Sequence, residues 1–152
     1  MYNFADFLMT HGRYAESVEW SRRVLALRGK TMQDEHPLIS ASMSVLGRSL
    51  DALDSLDAGE RWLREALAVR RKVYPPGHFL LASTESQLGA HFALRGQYAV
   101  AESMLLESER KLVAARGDAA PIVADARTRI VKLYELWGKA DSVRAWKGRI
   151  VK

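Results

Sequence analysis

Four histidines are the residues of this chain best suited by type to metal binding or proton transfer, and two of them, His36 and His78, stand 42 positions apart. A zinc ion needs every ligand within ~2.0–2.1 Å of one point. Two residues a whole structural repeat apart are held at least a helix spacing from each other, so turn roles are expected for both. His91 falls inside an apolar stripe, where a packed imidazole is expected, and His11 falls at a helix end beside Gly12. Trp20, Trp62, Met104 and Trp146 form a column at the same interval of 42. Aromatic columns can stack bases, but each member here lies next to an apolar stripe, and packing between helices is the expected role. The glycines form neither GxxxxGK nor GxGxxG, no serine has a GxSxG setting, and no paired carboxylates are placed for general acid–base work. The chain is expected to have no catalytic residue, no cofactor and no metal site.

Charge sharpens this. The net charge is +5, yet between Arg127 and Lys152 eight basic residues face only Glu135 and Asp141, so the remainder of the chain is close to neutral. Several other cations, Arg28, Lys30 and Arg70 to Lys72, fall at predicted helix ends, where they complement the helix dipole. A solvated helix surface is expected for the basic run, with phosphate binding as the competing reading. A composition of 48% apolar and 27% charged residues is that of a folded soluble protein. There is no cysteine, which fits a reducing compartment. The first residues, Met1 to Asp6, lack a basic leader and apolar core. Charge-free stretches run to about a dozen residues, short of the ~18 a membrane span needs. The expected location is the cytoplasm, without membrane association.

The elements that position these residues repeat. Leu88-Gly89, Phe92, Gly96, Tyr98, Ala101 and Met104-Leu105 reappear 42 residues earlier as Leu46-Gly47, Leu50, Asp54, Leu56, Gly59 and Trp62-Leu63. A further 42 earlier stand Phe4-Ala5, Leu8, Gly12, Tyr14, Ser17 and Trp20-Ser21, and 42 later Ile130-Val131, Tyr134, Gly138, Ala140, Val143 and Trp146-Lys147. Fixed-period self-similarity marks a repeat array. Within one unit, Ile39, Met43, Leu46, Leu50 and Leu53 are spaced as a helical stripe, a turn follows, and a second amphipathic helix begins at Leu56. Glycine at three of the four turns reaches positive φ cheaply. Pro37 and Pro121 fall in the first turn of the next helix, where a missing N–H costs nothing. Small residues (Ala5, Gly47, Gly89; Ser17, Gly59, Ala101) mark close crossings, since helix axes ~8–10 Å apart leave no room for bulk. Glu85 and Arg127 replace Met43 in the apolar stripe and are expected to meet as an ion pair.

This grammar, with a small residue after Leu, Gly at the turn, Tyr two later and a small residue three further on, resembles the tetratricopeptide repeat. The spacing is similar to its 42-residue, kinesin-light-chain-like variety, as is the phrase Asp34-Glu35-His36-Pro37. The resemblance implies an all-α fold: a right-handed α-solenoid of about eight helices, as one array over residues 1–152. Its divisions are an incomplete repeat at 1–35, repeats at 36–77 and 78–119, and a last repeat with its cap at 120–152. It also implies a non-catalytic protein-binding scaffold whose first helices line a concave face. The places that such proteins use hold Tyr2, Asn3, Asp6, Arg48, Asp51, Gln87, Arg129 and Lys132 here, among neighbours that include Ser44, Val45 and Ala93. Members that grip a terminal carboxylate repeat Lys and Asn at these places; only Asn3 fits, so such a clamp is not expected. The expected partner is a protein or peptide segment, acidic where it meets Arg129 and Lys132. The alternatives are self-association across an incomplete first repeat and nucleic-acid binding by the last one.

The ends carry two further expectations. Counting 42 back from His36 puts the start of the first unit at −6, so the chain is expected to be the C-terminal part of a longer array. Leu133-Tyr134-Glu135-Leu136-Trp137-Gly138-Lys139, with Val143 and Trp146, resembles the array ends of bacterial multidomain serine/threonine protein kinases. Lys147, Gly148, Arg149 and Lys152 give the last helix the polar surface of a finished end.

Overall fold

Every turn inside a hairpin is made the same way. Gly12, Gly96 and Gly138 take φ of +74°, +74° and +75°, and Asp54 takes +60° in the corresponding place. The following N–H then folds back to a carbonyl of the last helical turn: Arg13 to Leu8 (2.8 Å), Ser55 to Leu50, Gln97 to Phe92 and Lys139 to Tyr134 (each 2.9 Å). This bond satisfies a carbonyl that a helix end leaves orphaned. The computed structural model describes residues 2–28 and 36–150; Asp34 and Glu35 of the acidic-His-Pro phrase lie outside them. Within the described residues there are eight α-helices and no strand: α1 (Tyr2–Thr10), α2 (Tyr14–Arg28), α3 (Pro37–Ala52), α4 (Leu56–Val73), α5 (Phe79–Leu94), α6 (Tyr98–Arg116), α7 (Pro121–Trp137) and α8 (Ala140–Ile150). Pro37 and Pro121 open their helices as expected. The chain divides into two compact units, Met1–Pro75 and Pro76–Lys152.

In the first unit α1 pairs with α2 and α3 with α4, and α2 packs on α3. Ala5, Met9 and Val45 form one apolar cluster with Tyr14 and Trp20 against it. Val18, Leu46 and Leu50 form another, with Leu25, Ala58 and Trp62. Between α3 and α4 two glycines meet: a Cβ on Gly47 would stand 3.0 Å from the Gly59 carbonyl oxygen, and one on Gly59 would stand 3.0 Å from that of Gly47. Buried hydroxyls carry a short relay, with Ser49 Oγ donating to Ser17 Oγ (2.9 Å) and Ser17 Oγ donating to the Ala5 carbonyl (2.8 Å).

In the second unit α5 pairs with α6 and α7 with α8, and α6 packs on α7. Ala82, Leu112, Val123 and Ala126 form its cluster, flanked by Phe79, Val113, Ala120 and Ile122. Gly89 lies over Leu105 and Met104, with 3.0 Å from its would-be Cβ to Leu105 Cγ. Tyr134 is buried and donates its hydroxyl to Glu102 at 2.8 Å. Burial first, then the Glu102 carboxylate, pushes the Tyr134 phenol up to about 12 from 10.0. The folded protein thus favours the neutral phenol. Its contribution to stability is whole below pH ~10 and is lost as pH rises through about 12. Of the five tyrosines, one is expected to ionise late in a tyrosinate absorbance titration, in step with alkaline unfolding. Removal of that late step by Tyr134→Phe checks the assignment, and its persistence would refute it.

Candidate protein-binding surfaces

Two of the four histidines cap helices. His36 Nδ1 accepts the Leu38 N–H at 3.2 Å, and His78 Nδ1 accepts the Leu80 N–H at 3.2 Å, so both imidazoles cap helices, α3 and α5. The ring thereby supplies the acceptor that Ser or Asp usually provides. His91 is fully buried. His11 is exposed, its ring against Phe7. Trp20, Trp62, Met104 and Trp146 are all half-buried beside the helix contacts. Among the described residues no three His, Asp or Glu side chains come together as a metal site, and no helix is long and apolar enough to cross a membrane.

The expected binding residues divide between the two units. In the first, Asp6 on α1 and Arg48 on α3 are partly exposed and face each other at 4.0 Å. Asp51 is committed elsewhere: its carboxylate fills the notch that Gly59 leaves on α4. The side chains of Tyr2 and Asn3 lie outside the described residues. Ser44 and Val45, placed by the sequence on the open face, are buried, because α1 approaches α3 closely enough for Ala5 and Met9 to pack on Val45.

In the second unit Arg129 on α7 is half-buried and donates to Ser86 Oγ on α5 at 3.2 Å. Lys132, one helical turn further on, is exposed and has no partner among the described residues. Gln87 is buried rather than displayed, and its Oε1 has no hydrogen-bond partner among the described residues. Ala93 is buried too. Of the residues expected in this unit, Arg129 and Lys132 present positive charge at the α7 surface, with Glu135, also at an expected place, exposed on the same helix and meeting Lys147.

The expected Glu85–Arg127 pair is not formed. Lys111 donates to Glu85 at 3.1 Å, whereas Arg127 turns inward and donates to Glu109 (2.8 Å), to Asp118 and to the Arg149 carbonyl (3.1 Å). The carboxylates of Asp118 and Glu109 push the Arg127 guanidinium further above its ordinary range. These residues, with Arg110 and Val113, line a cavity of about 430 Å³. Its one trace in the sequence was a cation standing in an apolar stripe. At the turn end of the unit, Tyr98 stacks on Trp137 at 5.4 Å, with the Lys139 ammonium 3.3 Å above the Trp137 ring. The basic run is therefore largely engaged within the fold: Lys147 meets Glu135 at 3.0 Å, Arg144 meets Asp141, and Arg149 lies over Trp146.

A tetratricopeptide-repeat family model matches residues 1–72. Three crystal structures are among the solved structures that resemble nearly the whole chain. The nearly identical TPR-like repeats of a kinesin light chain-like protein from Podosopora anserina are 21% identical over 99% of this chain and 71% of theirs, at a TM-score of 0.70. The fold is tetratricopeptide-like. A single-substitution variant of those repeats gives 21% and a TM-score of 0.69 over the same shares of both chains. BtubC (BKLC) from P. vanneervenii gives 18% over 96% of this chain and 57% of its own, at a TM-score of 0.70. Among curated protein sequences, none matches this chain at a significant level. The hairpins of both units are thus of the tetratricopeptide type, and identities at this level speak for fold alone.

Proposed function

We propose that this chain is a non-catalytic protein–protein interaction scaffold, which takes a protein or peptide segment on the first-helix faces of its tetratricopeptide-like hairpins. The tetratricopeptide repeat generally mediates such contacts, and the observation that carries the reading to particular residues is Lys132, exposed and without a partner among the described residues, beside Arg129 on α7. Two adjacent cations favour an acidic segment, with electrostatics setting its orientation and rate of encounter more than its affinity. In the first unit the Asp6–Arg48 pair is weak at this exposure, so a partner can open it at little cost. The absence of long apolar helices among the described residues and of cysteine from the sequence supports a cytoplasmic setting. The likeness of the Leu133–Lys139 phrase to array ends of bacterial multidomain kinases supports a place within a larger signalling protein.

Reversing Arg48, Arg129 and Lys132 to glutamate is expected to weaken binding of a labelled Glu-rich decamer by about tenfold or more while leaving circular dichroism unchanged. The matching control reverses Lys147, Arg149 and Lys152. Were the control to lose binding while the first set kept it, the assignment to first helices would be wrong.

A further inference from the structure

The first helices share one place at the interval of 42: Asp6 on α1, Arg48 on α3, Ala90 on α5 and Lys132 on α7. In the first unit α1 packs beside α3, and the two occupants of this place answer each other, Asp6 facing Arg48 at 4.0 Å. In the second unit α5 packs beside α7 in nearly the same register, since Ser86 Oγ accepts from Arg129, 43 positions further on. One turn beyond Ser86 stands Ala90, and one turn beyond Arg129 stands Lys132. Where the first unit supplies an acid, the second has a methyl group. Ala90 is half-buried and Lys132 exposed. Glu135, one turn further along α7, meets Lys147 of α8 instead, at 3.0 Å.

The same stretch of α5 holds another unanswered group. Gln87, one turn before Ala90, is buried, and its Oε1 has no hydrogen-bond partner among the described residues. Buried carbonyl oxygens in folded proteins are nearly always met by a donor. A sulfate ion would bring charge for Lys132 and nothing for Gln87. An acidic peptide brings both complements, a side-chain carboxylate and backbone N–H groups.

We propose that Ala90 is the seat of the partner's acid: an Asp or Glu side chain of the bound segment lies over Ala90 and pairs with Lys132, as Asp6 pairs with Arg48. The seat presupposes the first-helix binding proposed above, and it makes Ala90 the residue that admits the acid. A small, uncharged side chain leaves room for the carboxylate and leaves the Lys132 charge to the ligand. An acid of the protein's own at this place would satisfy Lys132 from within and repel the ligand.

Fluorescence anisotropy with a labelled Glu-rich decamer tests this on the whole chain. Ala90→Asp is expected to weaken binding by about tenfold. Ala90→Asn, close to Asp in size and helix propensity but uncharged, should stay within about twofold of the native chain. Ala90→Lys, whose long stem carries its ammonium to the surface, should tighten binding by about threefold. Melting curves certify each fold, and the Asn and Lys variants keep the test decisive if Ala90→Asp alone fails to fold. A native chain that does not bind the decamer overturns the first-helix reading, and the seat with it. If the native chain binds and the Arg48, Arg129 and Lys132 reversal abolishes binding, but charge at Ala90 changes nothing, the first-helix reading stands and the seat is refuted. Equal weakening by Ala90→Asp and Ala90→Asn refutes it too, because bulk rather than charge would then exclude the ligand.

Discussion

Gly47→Leu is expected to unfold the first unit well below the melting temperature of the native chain. A Cβ at Gly47 would stand 2.8 Å from Leu63 Cγ and 3.0 Å from the Gly59 carbonyl oxygen. Leu63 is fully buried and has nowhere to withdraw, and Gly59 offers only backbone. Two effects oppose each other. Replacing a mid-helix glycine gains up to ~1 kcal/mol of helix propensity. Overpacking costs ~1–3 kcal/mol where side chains can yield and more where a backbone must move. The second wins, for a net loss of about 2 kcal/mol or more, and at ~4–8 °C per kcal/mol for a domain of this size the melting point falls by roughly 10 °C or more. Gly89→Leu should cost less, since its would-be Cβ meets the side chains of Leu105 and Met104 rather than backbone. Gly148→Ala on α8 meets nothing within 4 Å and should gain ~0.5–1 kcal/mol from propensity alone. Thermal circular dichroism ranks the three. If Gly47→Leu melts with the native chain, α3 and α4 do not cross tightly at this point.

These crossings were legible in the sequence because they are local and repeated. A small residue at Gly47, Gly59 and Gly89, and a left-handed residue at Gly12, Asp54, Gly96 and Gly138, each answer a backbone requirement that recurs every 42 positions. Charge placement was legible only in part. Helical periodicity tells which side of a helix faces its own hairpin partner, but not how closely one first helix approaches the next. By spacing alone Val45, Ser44, Gln87 and Ala93 fall on an open face, whereas in the structure they are buried. Their types held a warning, since Val45 and Ala93 are apolar and Ser44 is small. Glu85 and Arg127 find separate partners for a different reason. Arginine is long and forked, and among several carboxylates within reach it settles where its planar donors are best met. For Arg127 that place combines Glu109 on α6, Asp118 in the connection and a carbonyl of α8, none of which spacing alone brings together.

Arg127→Ala is the second large effect expected, and it should act through what the arginine leaves behind. The Arg127 side chain is 8% exposed and its partner Glu109 11%. Asp118, at 70%, regains water when the arginine goes and contributes little. Glu109 cannot do so: truncation strands a buried carboxylate, at a cost of ~3–5 kcal/mol. A buried ion pair is not itself strongly stabilising, because desolvating both ions offsets most of their attraction. Arg127→Met combined with Glu109→Leu should accordingly melt within ~1 kcal/mol of the native chain, although each partner alone is costly to remove. The Arg149 carbonyl also loses its donor, so amide exchange in the last turn of α8 should quicken in the single variant. A double-mutant cycle read by denaturant melts separates the causes. A single variant as stable as the native chain would show that Glu109 reaches water without Arg127. A double variant as unstable as the single one would show instead that packing, rather than the stranded charge, carried the loss.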